Sequence, residues 1–116
     1  MKSIVTDYTE LSAFSARPKE CDHHLVYGNG LRELADQDGL ILPLCNDEHN
    51  ICSDGDRTKI IHGNTAAGKL SKMLGQVVWE QDYIARRLAI STKSTADSWR
   101  SEARGEFLKR YGISYL

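Results

Sequence analysis

Two adjacent histidines stand inside a short β-type run, Glu20-Cys21-Asp22-His23-His24-Leu25-Val26-Tyr27-Gly28, and they limit what this chain can be more than any other feature. Successive side chains of a strand point to opposite faces, so His23 and His24 cannot do the same job from the same side. One can face a metal while its neighbour faces a substrate. The other two histidines follow in Leu44-Cys45-Asn46-Asp47-Glu48-His49-Asn50 and Ile60-Ile61-His62-Gly63, which puts all four within residues 23 to 62. Any one of them alone reads as a structural or surface histidine; their clustering points to a site.

The rest of the chain supplies a frame for that cluster. Ser3-Ile4-Val5-Thr6 reads as a short strand, and Pro18 with Lys19-Glu20 as a turn leading into the histidine strand. Gly28-Asn29-Gly30 ends that strand in a tight loop. Residues 31–37 have Leu31, Leu34 and Ala35 on one helical face, with Gly39 closing the helix. Leu40-Ile41-Leu42-Pro43-Leu44 is a strand whose proline favours an edge. A short helix carrying His49 comes next.

From Thr65 the period becomes helical: Leu70, Met73, Leu74, Val77, Val78, Ile84 and Leu88 recur at helical spacings, with Asn64 or Thr65 as N-cap. Gly68 and Gly75 mark places where another backbone comes close. Ser91 to Ser94 form a polar break. A second helix spans about Thr95 to Tyr111, with Trp99, Ala103, Phe107, Leu108 and Tyr111 as its core stripe and Gly112 as its C-cap.

Composition narrows the function classes. The chain has 116 residues, 41% hydrophobic and 27% charged, as expected for one ordinary globular domain. A net charge of -1 argues against tight, non-specific phosphate binding. Three cysteines with no apolar leader ahead of them fit a reducing cytoplasm, and no run approaches a membrane span. Neutral imidazoles are good ligands for divalent transition metals, and an unligated imidazole titrating near neutrality can take a proton from water. His23, His49 and His62 as ligands with His24 as base meet those requirements if the fold gathers them.

The blocks Cys21-Asp-His-His-Leu-Val-Tyr-Gly, Leu42-Pro-Leu-Cys-Asn-Asp-Glu-His-Asn and Ile61-His62-Gly63-Asn64, with the ending Arg104 to Leu116, resemble the small HNH-type, treble-clef nuclease-like proteins of bacteriophages and prophages. The likeness covers roughly residues 10 to 116. It implies an α+β, ββα-metal fold as a single domain over 1–116, with the core in 1–64 and two helices in 65–116. It also implies that His23, His49 and His62 bind a divalent metal (magnesium, manganese, nickel or zinc) and that His24 is the general base. The reaction implied is hydrolysis of DNA phosphodiesters in a bacterial host cytoplasm.

The departures from that family carry expectations too. Members with a structural zinc hold it on two Cys-x-x-Cys knuckles, which would fall here at Ser12-Ala13-Phe14-Ser15 and Cys45-Asn46-Asp47-Glu48. Only Cys45 remains, and a serine hydroxyl is a poor zinc ligand, so the four-sulfur site is missing and the hydrophobic core must hold the fold. The asparagine of the HNH name has no clear position; Asn46 and Asn50 are nearby candidates. Cys21, Cys45 and Cys52 either join His49 or His62 in a rearranged zinc site or, on the simpler reading, Cys21 and Cys52 are small buried residues. Arg57, Lys59, Lys69, Lys72, Arg86, Arg87, Arg100, Arg104, Lys109 and Arg110 either line a phosphate track or form solvated helix faces paired with acids. Three readings follow: an active endonuclease, a protein-binding scaffold such as a phage inhibitor of a host defence nuclease, and a homodimer paired through the C-terminal helices.

Overall fold

The structure, a computed structural model, describes residues 2–88 and 96–116. In chain order these hold β1 (Cys21–His24), α1 (Leu31–Asp38), β2 (Ile41–Leu44), α2 (Asn46–His49), two 3₁₀ turns (Arg57–Lys59 and Ile61–Gly63), α3 (Thr65–Leu88) and α4 (Ala96–Tyr111). The architecture is α+β. The polar break at Ser91 to Ser94, and Thr95, lie outside the described residues.

β1 and β2 pair antiparallel, with Cys21 opposite Leu44, His23 opposite Leu42 and His24 opposite Ile41. Pro43 sits opposite Asp22, and its carbonyl accepts from Ala13 N on the outer side of β2 at 2.9 Å. The expected strand at Ser3–Thr6 does not form. The Ser3 hydroxyl accepts from Val5 N and Thr6 N, bending the segment into a turn, and donates to Ile41 O. Ile4 N still reaches Gly39 O. Gly39 is required there: its φ is 74°, and a Cβ would meet Lys2 O at 2.6 Å.

The loop before β1 is tied to α2 through Ser12, Ser15 and Arg17. The Ser12 hydroxyl donates to Glu48, which also accepts from Cys45 N at 2.8 Å. The Ser15 hydroxyl interacts with Cys45 and Glu48, and Arg17 pairs with Asp47 at 2.7 Å. Burial works against ionising Glu48, but the Ser12, Cys45, Ser15 and Arg17 contacts outweigh it and hold its carboxyl below the usual range. Hydrogen bonds thus join Ser12, Cys45 and Glu48, with Ser15 against the last two.

The core comprises Leu25, Val26, Ala35, Leu40, Trp79, Phe107 and Tyr111. From α4, Trp99, Ala103, Phe107 and Tyr111 are buried as the stripe predicts, whereas Leu108 is exposed. Gly112 closes the helix with φ 78°, its N–H reaching Leu108 O. In α3 the buried face is Gly68, Ser71, Gly75, Gln76, Trp79 and Glu80, while Leu70, Met73, Leu74, Val77 and Leu88 face outward. The two glycines do admit close neighbours: a Cβ on Gly68 would meet the Tyr27 hydroxyl at 2.7 Å, and one on Gly75 would meet Val26 Cγ2 at 2.8 Å. The segment following β1 thereby lies against α3.

Candidate functional site

His23 leaves β1 toward α3 and is fully buried. Its Nε2 is 2.7 Å from Ser71 Oγ, and that oxygen is 2.8 Å from Leu25 O. Ser71 has one hydroxyl proton, which goes to the carbonyl, so Oγ accepts from His23 Nε2–H. His23 Nδ1 then carries a lone pair; it is buried and has no hydrogen-bond partner. An orphaned buried acceptor carries a penalty of about 1–3 kcal/mol unless something takes the lone pair.

His49 ends α2 and His62 sits in the second 3₁₀ turn, which Asn64 follows as N-cap of α3 with Oδ1 accepting from Ala67 N. Ring centroids are 5.1 Å apart for His23 and His49, 5.3 Å for His23 and His62, and 4.5 Å for His49 and His62. One ring nitrogen from each lies within 4.8 Å of the other two. Cys21 Sγ is 3.5 Å from Leu44 O and 3.4 Å from His49 Nδ1, which places the thiol proton on the carbonyl and the His49 proton on Nδ1. His49 Nε2 is then an acceptor and faces His62 Nε2 at 2.8 Å, so without a shared cation the His62 Nε2–H donates to it.

Burial first, then the neighbouring His49, His62 and His24, pushes the His23 pKa down to about 3. Burial, with His62, His24 and Arg32, pushes His49 down to about 4. Burial and then Arg32 lower His62. All three rings are therefore neutral at pH 7, the state in which imidazole ligates metal. The donor set is all nitrogen, which suits zinc or nickel better than magnesium, whose preferred donors are carboxylate and water oxygens.

His24 is held separately. It is half-buried, and its Nε2 meets Asp36 Oδ1 at 3.1 Å, which leaves Nδ1 as the basic nitrogen. A cavity of about 180 Å³ is lined by His24, Tyr27, Arg32, His49, Asn50 and His62. The strand alternation that separates His23 from His24 thus leaves both beside the same cluster. Arg32 and Asp36, at i and i+4 on α1, did not emerge from the sequence reading. Their spacing was the available signal, but the direction in which α1 turns that face was not.

The three thiols do not gather. Cys45 is buried and donates to Pro18 O at 3.4 Å; Cys21 and Cys52 are only half-buried, and Cys52 accepts from Arg57 at 3.8 Å. Glu20, Cys45 and Asp47 form a second group within 4.8 Å, but Glu20 accepts from Asn46 N and Asp47 from Arg17. Among the cations, Lys59 pairs with Asp54, Arg86 with Asp82, Arg87 with Glu102, Arg104 with Glu80, Lys109 with Glu106 and Arg110 with Asp38. Lys69 and Lys72 stand beside the cluster, lining a cavity of about 330 Å³ that shares Tyr27 and His62 with the first.

Compared with known proteins, the chain matches no family model, no curated protein and no solved structure.

Proposed function

We propose that this protein is an HNH-like, metal-dependent DNA endonuclease whose ββα-metal core consists of β1, β2 and α2. The observation that carries the reading is the convergence of three neutral imidazoles beside a fourth held apart by its own carboxylate. His23, His49 and His62 would hold a divalent cation, which would supply positive charge to offset the charge that develops on the phosphate. His24 accepts the proton from the attacking water on Nδ1 as the water oxygen bonds to phosphorus, the P–O ester bond breaks and the departing sugar oxygen takes a proton from solvent water. Asp36 fixes the ring and stabilises the imidazolium that results. Ser71 holds His23 in the tautomer that presents Nδ1.

The test is nicking of supercoiled plasmid with magnesium, manganese, nickel or zinc, alongside metal analysis of untagged protein. His24→Ala is expected to abolish nicking with metal content unchanged, His49→Ala to lose the metal, and Asp36→Ala to slow nicking at least tenfold. No cleavage with any of the four metals defeats the reading.

The exposed apolar stripe of α3, with Leu70 64% and Leu88 51% accessible, favours a second reading, a protein-binding scaffold of nuclease ancestry. A stable protein complex that survives substitution of His23 and His24 would support it.

A further inference from the structure

The cavity at the histidines and the one beside it share two walls, Tyr27 and His62. At one end stands Arg32 from α1, at the other Lys69 and Lys72 from α3. Among the described residues none of these three has a carboxylate within ion-pair distance, whereas the cations of α4 and the C-terminal part of α3 named above are paired. Lys72 lies over the Tyr27 ring, 4.6 Å from its centroid, which sets its ammonium at the shared wall. Arg32 acts electrostatically on both His49 and His62, so its charge falls on the cluster itself. In a chain of net charge -1, three cations without an ion pair among the described residues thus flank the histidines on two sides.

We infer that the two cavities form one seat for a DNA sugar–phosphate strand, with Arg32 holding a phosphate on one side of His49 and His62 and Lys69 with Lys72 holding a phosphate on the other. This rests on the reading above only in placing the strand across the histidines. A seat gripped on both sides selects an internal bond of a polymer over a terminal phosphate, because one anchor goes unused at a chain end. Guanidinium and ammonium groups add affinity through phosphate contacts and counterion release, without reading bases.

The experiment measures binding of a fluorescent DNA oligonucleotide by anisotropy over a salt series. It uses protein as purified in a His24→Ala background, so that turnover does not intervene. Arg32→Ala and Lys69→Ala are each expected to weaken binding roughly five- to tenfold and to reduce the slope of log K against log salt by about 0.9. Lys59→Ala, at a cation already matched by Asp54, is the control and should change neither. Both side chains are exposed, so unchanged melting temperatures will verify folding. Unchanged affinity in either Arg32→Ala or Lys69→Ala, or an equal loss in Lys59→Ala, overturns the two-sided seat. Plasmid nicking by wild type is read separately: two-sided binding without nicking sinks the nuclease reading alone, and nicking with unaltered affinities sinks this one alone.

Discussion

His23 gains its chemistry from a residue 48 positions away. Ser71 decides which ring nitrogen carries the proton and so which one keeps its lone pair. Ser71→Ala leaves His23 Nε2–H and the Leu25 carbonyl without their partner in a buried place, which predicts a loss of about 1–3 kcal/mol in stability, measured by denaturant unfolding. On the proposed metal-binding reading, the same change should weaken metal affinity by roughly 10- to 100-fold, read by competition with a chromogenic chelator. At this scale the sequence was informative about types and silent about partners. Four histidines within residues 23 to 62 are visible as a cluster because imidazole is scarce and chemically distinctive. Ser71, Asp36 and Arg32 are common side chains whose roles depend on which way their helices turn.

At the scale of elements, α3 shows how a helical period can be read correctly and its inward face missed. Leu70, Leu74, Val77 and Leu88 form the more apolar stripe, yet the helix packs through Gly68, Ser71, Gly75, Gln76, Trp79 and Glu80. Small residues let the segment after β1 approach closely, and that approach brings Ser71 to His23. The polar members of the face are satisfied inside it: Gln76 donates to Glu80 and Ser114 and accepts from Tyr115 N, and Glu80 accepts from Arg104. Gly75→Ala should therefore destabilise by about 1–3 kcal/mol, because overpacking against Val26 and Leu25 exceeds the ~1 kcal/mol gain in helix propensity. A rise in melting temperature for that variant would contradict the packing described. Both strands, α1 and the caps at Asn64 and Gly112 were legible in sequence, since each depends on local chemistry.

Across the whole molecule, Asp38 at the end of α1 binds the helical half to the histidine half. Its carboxylate accepts from Trp79 Nε1, Arg110 and the Tyr111 hydroxyl, the last at 2.7 Å. No periodicity announces such a junction, which spans 72 and 73 positions to α4. Burial and the Asp38 carboxylate push the Tyr111 phenol well above its ordinary value of 10. The folded-state pKa is raised, so the stabilisation is complete below about pH 10 and declines as pH rises beyond it, where the unfolded tyrosine ionises first. Tyr111→Phe should flatten the Tyr111 contribution to the alkaline decline in melting temperature; an unchanged profile would remove Tyr111 as its source.

The hydrogen-bonded join of Ser12, Ser15, Cys45 and Glu48 separates two dependences that a zinc knuckle would fuse. On the function proposed above, architecture and chemistry would not draw on the same ion, so EDTA should abolish nicking while the protein stays folded. Its unfolding free energy should fall by no more than the ligand-linkage amount, about 2.7 kcal/mol for a metal supplied at a hundred times its dissociation constant. On that reading, loss of the ion would leave an intact but idle protein that regains its activity when the ion is restored.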